Sequence, residues 1–144
     1  MTRAPDFPRF SPRGRLFAAL LGLGFLGLLV AASRLEPDPR GFGTHEQLGL
    51  TPCSFYRWTG RLCPTCGATT AWAHLLDGHW AAAVRANLAG TLVAGLALVA
   101  VPWLLVSAIG GRWVVAKPSP RGLLTVATAL AIVAVLDWFG RVWM

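Results

Sequence analysis

Three cysteines fall in one short stretch of the chain: Cys53, Cys63 and Cys66. The last two form the motif Cys63-Pro64-Thr65-Cys66-Gly67. Two thiols separated by two residues converge, and can either share one metal ion or close a small disulfide ring. Gly67 permits the tight turn whose amides face a thiolate. Thr51-Pro52 and Thr59-Gly60 bracket Cys53 with a segment able to fold back and bring a third sulfur. A structural zinc site takes four ligands, usually from two such pairs, and this chain carries one pair. His74 is the weak candidate for a further ligand, with His79 and His45 looser still. On a continuous helix, eight residues past Cys66 lie about 12 Å along the axis and about 80° round it, so His74 needs a chain reversal to share a metal. Haem attachment is disfavoured, because Gly67 stands where that motif requires His.

The same pair has a redox reading. Outside the cytoplasm thiols tend to be oxidised. Pro64 suits the first turn of a helix, which would set Cys63 at a helix N-terminus and favour its thiolate. The strand-helix-strand pattern of a thioredoxin fold is missing, and too few residues surround the motif to build one. An odd number of cysteines leaves at least one free, metal-bound or intermolecular. A structural clip, a zinc-like knuckle and a thiol-disulfide pair therefore all stand as chemistries for these residues.

The elements that must position them are apolar helices. Hydrophobic residues are 55% of the 144, charged residues 13%, against about 25% charged in an average soluble domain. That excludes disorder over most of the length and makes lipid the expected solvent. Leu16 to Ser33 is free of charge and spans about 27 Å as a helix, close to the roughly 30 Å of hydrocarbon. It reads as an uncleaved anchor, although Val30-Ala31-Ala32-Ser33 resembles the end of a secretory signal. A second run centres on residues 88–110 with Pro102 inside it, where a kink is tolerated. A third covers 122–140, with Asp137 near its end and Trp138, Phe139 and Trp143 as an aromatic belt. The expected organisation is a tail over 1–15, kept extended by Pro5, Pro8 and Pro12, and one membrane domain over 16–144.

Between the first two spans lies the cysteine segment, 48–87. Two short helices are expected there, at 68–76 and from Trp80 to about Leu88, forming a hairpin at the membrane interface. Asp77-Gly78 marks the turn between them. The fold class is thus all-α: three transmembrane helices, with a Cys-containing loop and a short interfacial hairpin between helices 1 and 2.

Net charge is +7. The arginines are scattered between apolar runs and form no dense stripe, so lipid headgroups and topology explain the charge better than nucleic acid. Arg3, Arg9, Arg13 and Arg15 crowd the N-terminal tail, and Arg112, Lys117 and Arg121 the last link. Both belong inside by the positive-inside rule, which sets the cysteine segment outside. The helices carry few polar groups beyond Thr91, Ser107, Thr125 and Thr128, which argues against transport, and no serine sits in a hydrolase elbow.

The array Cys53, Thr59-Gly60, Cys63-Pro64-Thr65-Cys66-Gly67-Ala68-Thr69, Asp77-Gly78, Ala83 and Asn87 resembles the bacterial membrane family called domain of unknown function 2752. The resemblance covers residues 48–95. Thr70 stands where that family usually has Arg, and Leu88 where it usually has Pro. The resemblance implies a small multi-helix protein of the bacterial inner membrane without settled activity. The expected role is non-enzymatic, accessory or in assembly, with lipid and a protein partner or second copy around it. The alternatives are a zinc-binding membrane module and a membrane thiol-disulfide oxidoreductase. Cys53, Cys63 and Cys66 are the metal or redox candidates, and Pro64, Gly67, Thr69, Asp77 and Gly78 support them.

Overall fold

A computed structural model describes residues 9–143. Three long helices dominate: α1 (Pro12–Ala32), α5 (Leu88–Gly110) and α6 (Pro120–Trp143). Each is long and apolar enough to cross a membrane. Between α1 and α5 come a 3₁₀ turn (Thr44–Leu48) and three short helices, α2 (Ser54–Thr59), α3 (Ala68–Leu76) and α4 (Trp80–Ala86). No strand occurs among the described residues, apart from one isolated bridge between Arg9 and Arg112.

The helix α1 begins earlier than the apolar run. Ser11 accepts a hydrogen bond from the Gly14 amide at 3.1 Å, and Pro12 takes the first helical position. A serine cap followed by proline starts a helix efficiently, which overrides the extended tail expected at Pro12. The parts of that expectation at Pro5 and Pro8 lie outside the described residues.

The helices α1 and α5 run antiparallel in close contact. A Cβ added to Gly22 would lie 2.8 Å from Leu105 Cδ2, so a larger residue here would require the Leu105 side chain to shift, and glycine lets the two helices approach without it. Ala18 packs with Leu104 and Ala108 at one end, and Leu29 with Ala97 and Val101 at the other. Arg15 of α1 caps the last turn of α5, its Nε donating to the Ala108 carbonyl at 2.6 Å and Nη2 to the Ile109 carbonyl at 3.1 Å. Those carbonyls have no partner within their own helix, and a cation suits the negative end of the dipole. Around this end, Phe10, Trp103 and Trp113 form an aromatic cluster. α5 is unbroken through Pro102. α6 leans on α5 alone among the long helices, and no Cα of α1 lies within 8 Å of it.

The short helices gather at the opposite end. α3 spans nine residues and α4 seven, each too short to cross a bilayer. Asp77 closes α3, Gly78 follows with φ +80°, and α4 starts after His79. α4 ends at Ala86, two residues before the expected Leu88. Asn87 breaks it with an extended backbone and caps α5 by accepting from the Gly90 amide at 2.7 Å. α3 is tucked against α5: a Cβ on Gly90 would sit 2.9 Å from the Cα of Ala68. The connection before it is fastened by buried hydroxyls, because Thr44 Oγ1 meets Thr70 Oγ1 at 2.8 Å and accepts from the Asp38 amide at 2.9 Å.

Candidate functional site

Cys53 stands just before α2, and Cys63 and Cys66 lie in the irregular turn before α3. The turn closes by a hydrogen bond from the Cys66 amide to the Cys63 carbonyl at 3.1 Å, and a second runs from Ala68 to Thr65 at 3.0 Å. Gly67 then caps α3 with φ +88°. A Cβ there would lie 2.5 Å from the Ala86 carbonyl oxygen and 2.8 Å from that of Gly41. Both the positive φ and the close approach of two backbones therefore demand glycine. The helix starts at Ala68, so Pro64 lies in the turn and Cys63 is not at a helix N-terminus. Backbone packing against residues 41 and 86 fixes the start of the helix one turn later than proline preference alone suggested.

All three sulfurs converge. The Sγ atoms of Cys53, Cys63 and Cys66 lie within 4.8 Å of one another. The Cys63 and Cys66 sulfurs lie 2.8 Å apart, and Thr65 Oγ1 lies 3.3 Å from the Cys63 sulfur. All three cysteines are free, Cys66 being buried and the others half-buried. Burial pushes the Cys63 thiol up, but hydrogen bonding with Cys66, Thr65 and Cys53 outweighs it and leaves Cys63 below its ordinary value. Burial, reinforced by the neighbouring Cys63, pushes Cys66 up to about 12.

The sulfurs border a cavity of about 360 Å³ whose lining includes His45, Glu46, Tyr56 and Thr69. Glu46 is engaged with Arg40 at 3.0 Å, and Arg40 also holds Asp38 at 2.8 Å, which lowers the Asp38 pKa. His45 is the one histidine in the cavity lining, and it lies outside the close group formed by the three sulfurs. His74 and His79 stand elsewhere, edge to face with ring centroids 6.0 Å apart, and neither lines the cavity. Burial and the neighbouring His79 depress the His74 pKa. Asp77 and Gly78 serve the turn between α3 and α4.

Two residues from distant elements hold the cysteine turn. Asn87, 1% exposed, donates from Nδ2 to the carbonyls of Pro64 at 3.1 Å and Cys66 at 3.0 Å. Arg141, near the end of α6, donates from Nη1 to Cys66 at 2.9 Å and Ala86 at 3.3 Å, and from Nη2 to Pro64 at 3.3 Å. Its Nε lies 2.9 Å from Asp137, four residues earlier, and the approach is ionic rather than an aligned hydrogen bond. Trp138 adds a bond from Nε1 to the Leu62 carbonyl at 2.6 Å, and the Arg61 guanidinium lies 4.7 Å from the Trp143 ring. Sequence reading assigned Asp137 and Trp138 to the membrane boundary and gave Arg141 no role. An arginine in a near-apolar helix four residues after an aspartate was the available signal.

Three thiol sulfurs at this spacing form a soft donor set. Tetrahedral zinc with bonds of about 2.3 Å places its sulfurs roughly 3.7 Å apart. The Cys63–Cys66 distance must open by about 1 Å to reach that spacing, a change within side-chain rotation. The set is one protein ligand short of a closed structural site, and His45 borders the same cavity.

Residues 53–101 match the family described as Protein of unknown function (DUF2752). The match runs from Cys53 through all three cysteines and Asn87 into the middle of α5. No curated protein and no solved structure matches the chain.

Proposed function

We propose that this chain, a member of the DUF2752 family, is a non-enzymatic membrane module clipped by a soft divalent metal of the zinc class. The observation that carries the reading is the convergence of three sulfurs within 4.8 Å on a turn held from two other elements. Cys53, Cys63 and Cys66 supply the thiolates, and His45 or a water completes the set. The metal fastens the 53–66 loop, whose own helix α2 buries no residue. A loop without a core of its own gains most from such a cross-link. The extracytoplasmic side of the bacterial inner membrane is the proposed place of the loop, with α3 and α4 at the interface. The arginine-rich ends 9–15 and 112–121 support that threading.

Metal content by mass spectrometry of the protein purified in mild detergent, together with its thiol count, tests the reading. One zinc per chain, lost in Cys53→Ser as well as in Cys63→Ser, is expected. A metal-free protein with a Cys63–Cys66 disulfide supports instead a second reading, favoured by the 2.8 Å approach of those two sulfurs. In that reading the Cys63–Cys66 disulfide oxidises a partner protein's dithiol: a partner thiolate attacks one sulfur of the pair and releases the other as a thiolate. The partner's second thiolate then breaks the mixed disulfide, so the partner leaves as a disulfide and two electrons and two protons end on Cys63 and Cys66.

A further inference from the structure

A second cavity, about 570 Å³, lies beneath the cysteine turn. Its walls come from Leu28 and Ala32 of α1, Gly90 and Val93 of α5, and Leu130 and Ala134 of α6. Because α1 and α6 both lean on α5 without approaching each other, the recess opens sideways between them. These wall positions occupy the last turns of α1, the first turns of α5 and the middle of α6. The recess is thus confined to one half of the spanning region, on the cysteine side. Its lining is almost wholly apolar, and only its upper end is polar. That end shares His45, Thr65, Ala68 and Thr69 with the thiol cavity.

We infer that this recess binds the hydrocarbon chain of a membrane lipid, entering from the side between α1 and α6. Size selects the occupant. A helix with side chains is about 10–12 Å across, so the volume holds roughly one turn of it. A flexible single chain fits the same space, and its volume is in the range of ligand-binding pockets, roughly 300–1,000 Å³. The polar end is where the lipid's ester or head region would lie, against Thr65 and Thr69. The inference does not rest on a metal at the thiols, since the side walls named above belong to α1, α5 and α6.

The test uses the full chain in phosphatidylcholine vesicles doped with a phosphatidylcholine carrying a photoactivatable diazirine in one acyl chain. After irradiation, adducts are mapped by peptide mass spectrometry. Labelling of Leu28, Val93 and Ala134 is expected to exceed that of Val135 and Leu136, which are lipid-exposed on the same helix turns of α6, by several-fold. Filling the recess by Ala134→Phe should cut the Val93 adduct several-fold. Leu28→Trp is a second filling variant, at a half-exposed position where added bulk leaves the helix packing intact. Helix content by circular dichroism checks both. Even labelling of all lipid-facing residues, or a Val93 adduct unchanged in both filled variants, overturns the inference. So does a recess found shielded from lipid by a cross-linked second copy of the chain.

Discussion

Asn87 uses every polar group of its side-chain amide: Oδ1 accepts from Gly90, and Nδ2 serves the carbonyls of Pro64 and Cys66. It joins the start of α5 to the cysteine turn, so one substitution should damage both. Asn87→Ala removes a cap worth about 1 kcal/mol and two hydrogen bonds worth about 1 kcal/mol each. A loss of roughly 3 kcal/mol in reversible unfolding from mixed micelles is the expected result. Gly67 offers a sharper contrast. Gly67→Ala meets two backbone oxygens, whereas Gly78→Ala, also at positive φ, meets nothing within 4 Å. The Gly78 variant should lose about 1–3 kcal/mol from the strained backbone alone. The Gly67 variant should lose more and also lose reactivity differences among the three thiols, read by the rate of thiol modification. At this scale the cysteine motif and its glycine were legible in the sequence, because spacing and a steric need are local. Asn87 entered only as part of the family resemblance and Arg141 not at all, and the contacts of both with the turn were not legible, since each reaches it from more than twenty residues away.

Among the long helices, α6 is the least anchored: it has no buried residue and is tied to the cysteine end by Arg141 and Trp138. Arg141 and Asp137 are each about 15% exposed and form the only ion pair within a spanning helix among the described residues. Breaking a buried pair on one side typically costs about 3–5 kcal/mol, because the remaining charge is stranded. Arg141→Met is therefore expected to destabilise the protein by that order and to loosen the cysteine turn. Joining it with Asp137→Leu should recover part of the loss, since no lone carboxylate is left. Thermal unfolding of the single and double variants in detergent measures this, and equal losses in both would show that the pair's charge is immaterial. The spans themselves were readable from composition. The expected 88–110 is the observed α5, while α1 and α6 start before the expected 16 and 122 because Ser11 and Ser119 cap them, and α6 continues past 140 to Trp143. The helix α2 and the 3₁₀ turn carry no apolar periodicity and were not expected.

For the whole molecule, the helix ends are paired unambiguously: Arg15 and Phe10 meet the end of α5, while Arg141 meets its beginning. The link 112–121 and the cysteine segment therefore sit at opposite ends of the bundle. The proposed threading, drawn from the arginine asymmetry, puts the 112–121 link in the cytoplasm. Lys117 is the only lysine in the chain, and it lies in that link. A membrane-impermeant amine reagent should leave Lys117 unmodified in intact cells and modify it once they are permeabilised. Modification in intact cells would invert the threading. The three-helix architecture was legible because charge-free length is a direct physical demand of the bilayer. The packing that leaves α1 and α6 apart was hidden, since both helices are apolar all round and show no preferred face.

The central claim, one metal on three sulfurs, is tested most directly by zinc-edge X-ray absorption of the purified chain. Three sulfur scatterers at about 2.3 Å and one nitrogen or oxygen at about 2.0 Å are predicted. Two sulfurs or fewer, or no bound metal in a protein whose Cys63 and Cys66 are joined, would contradict it.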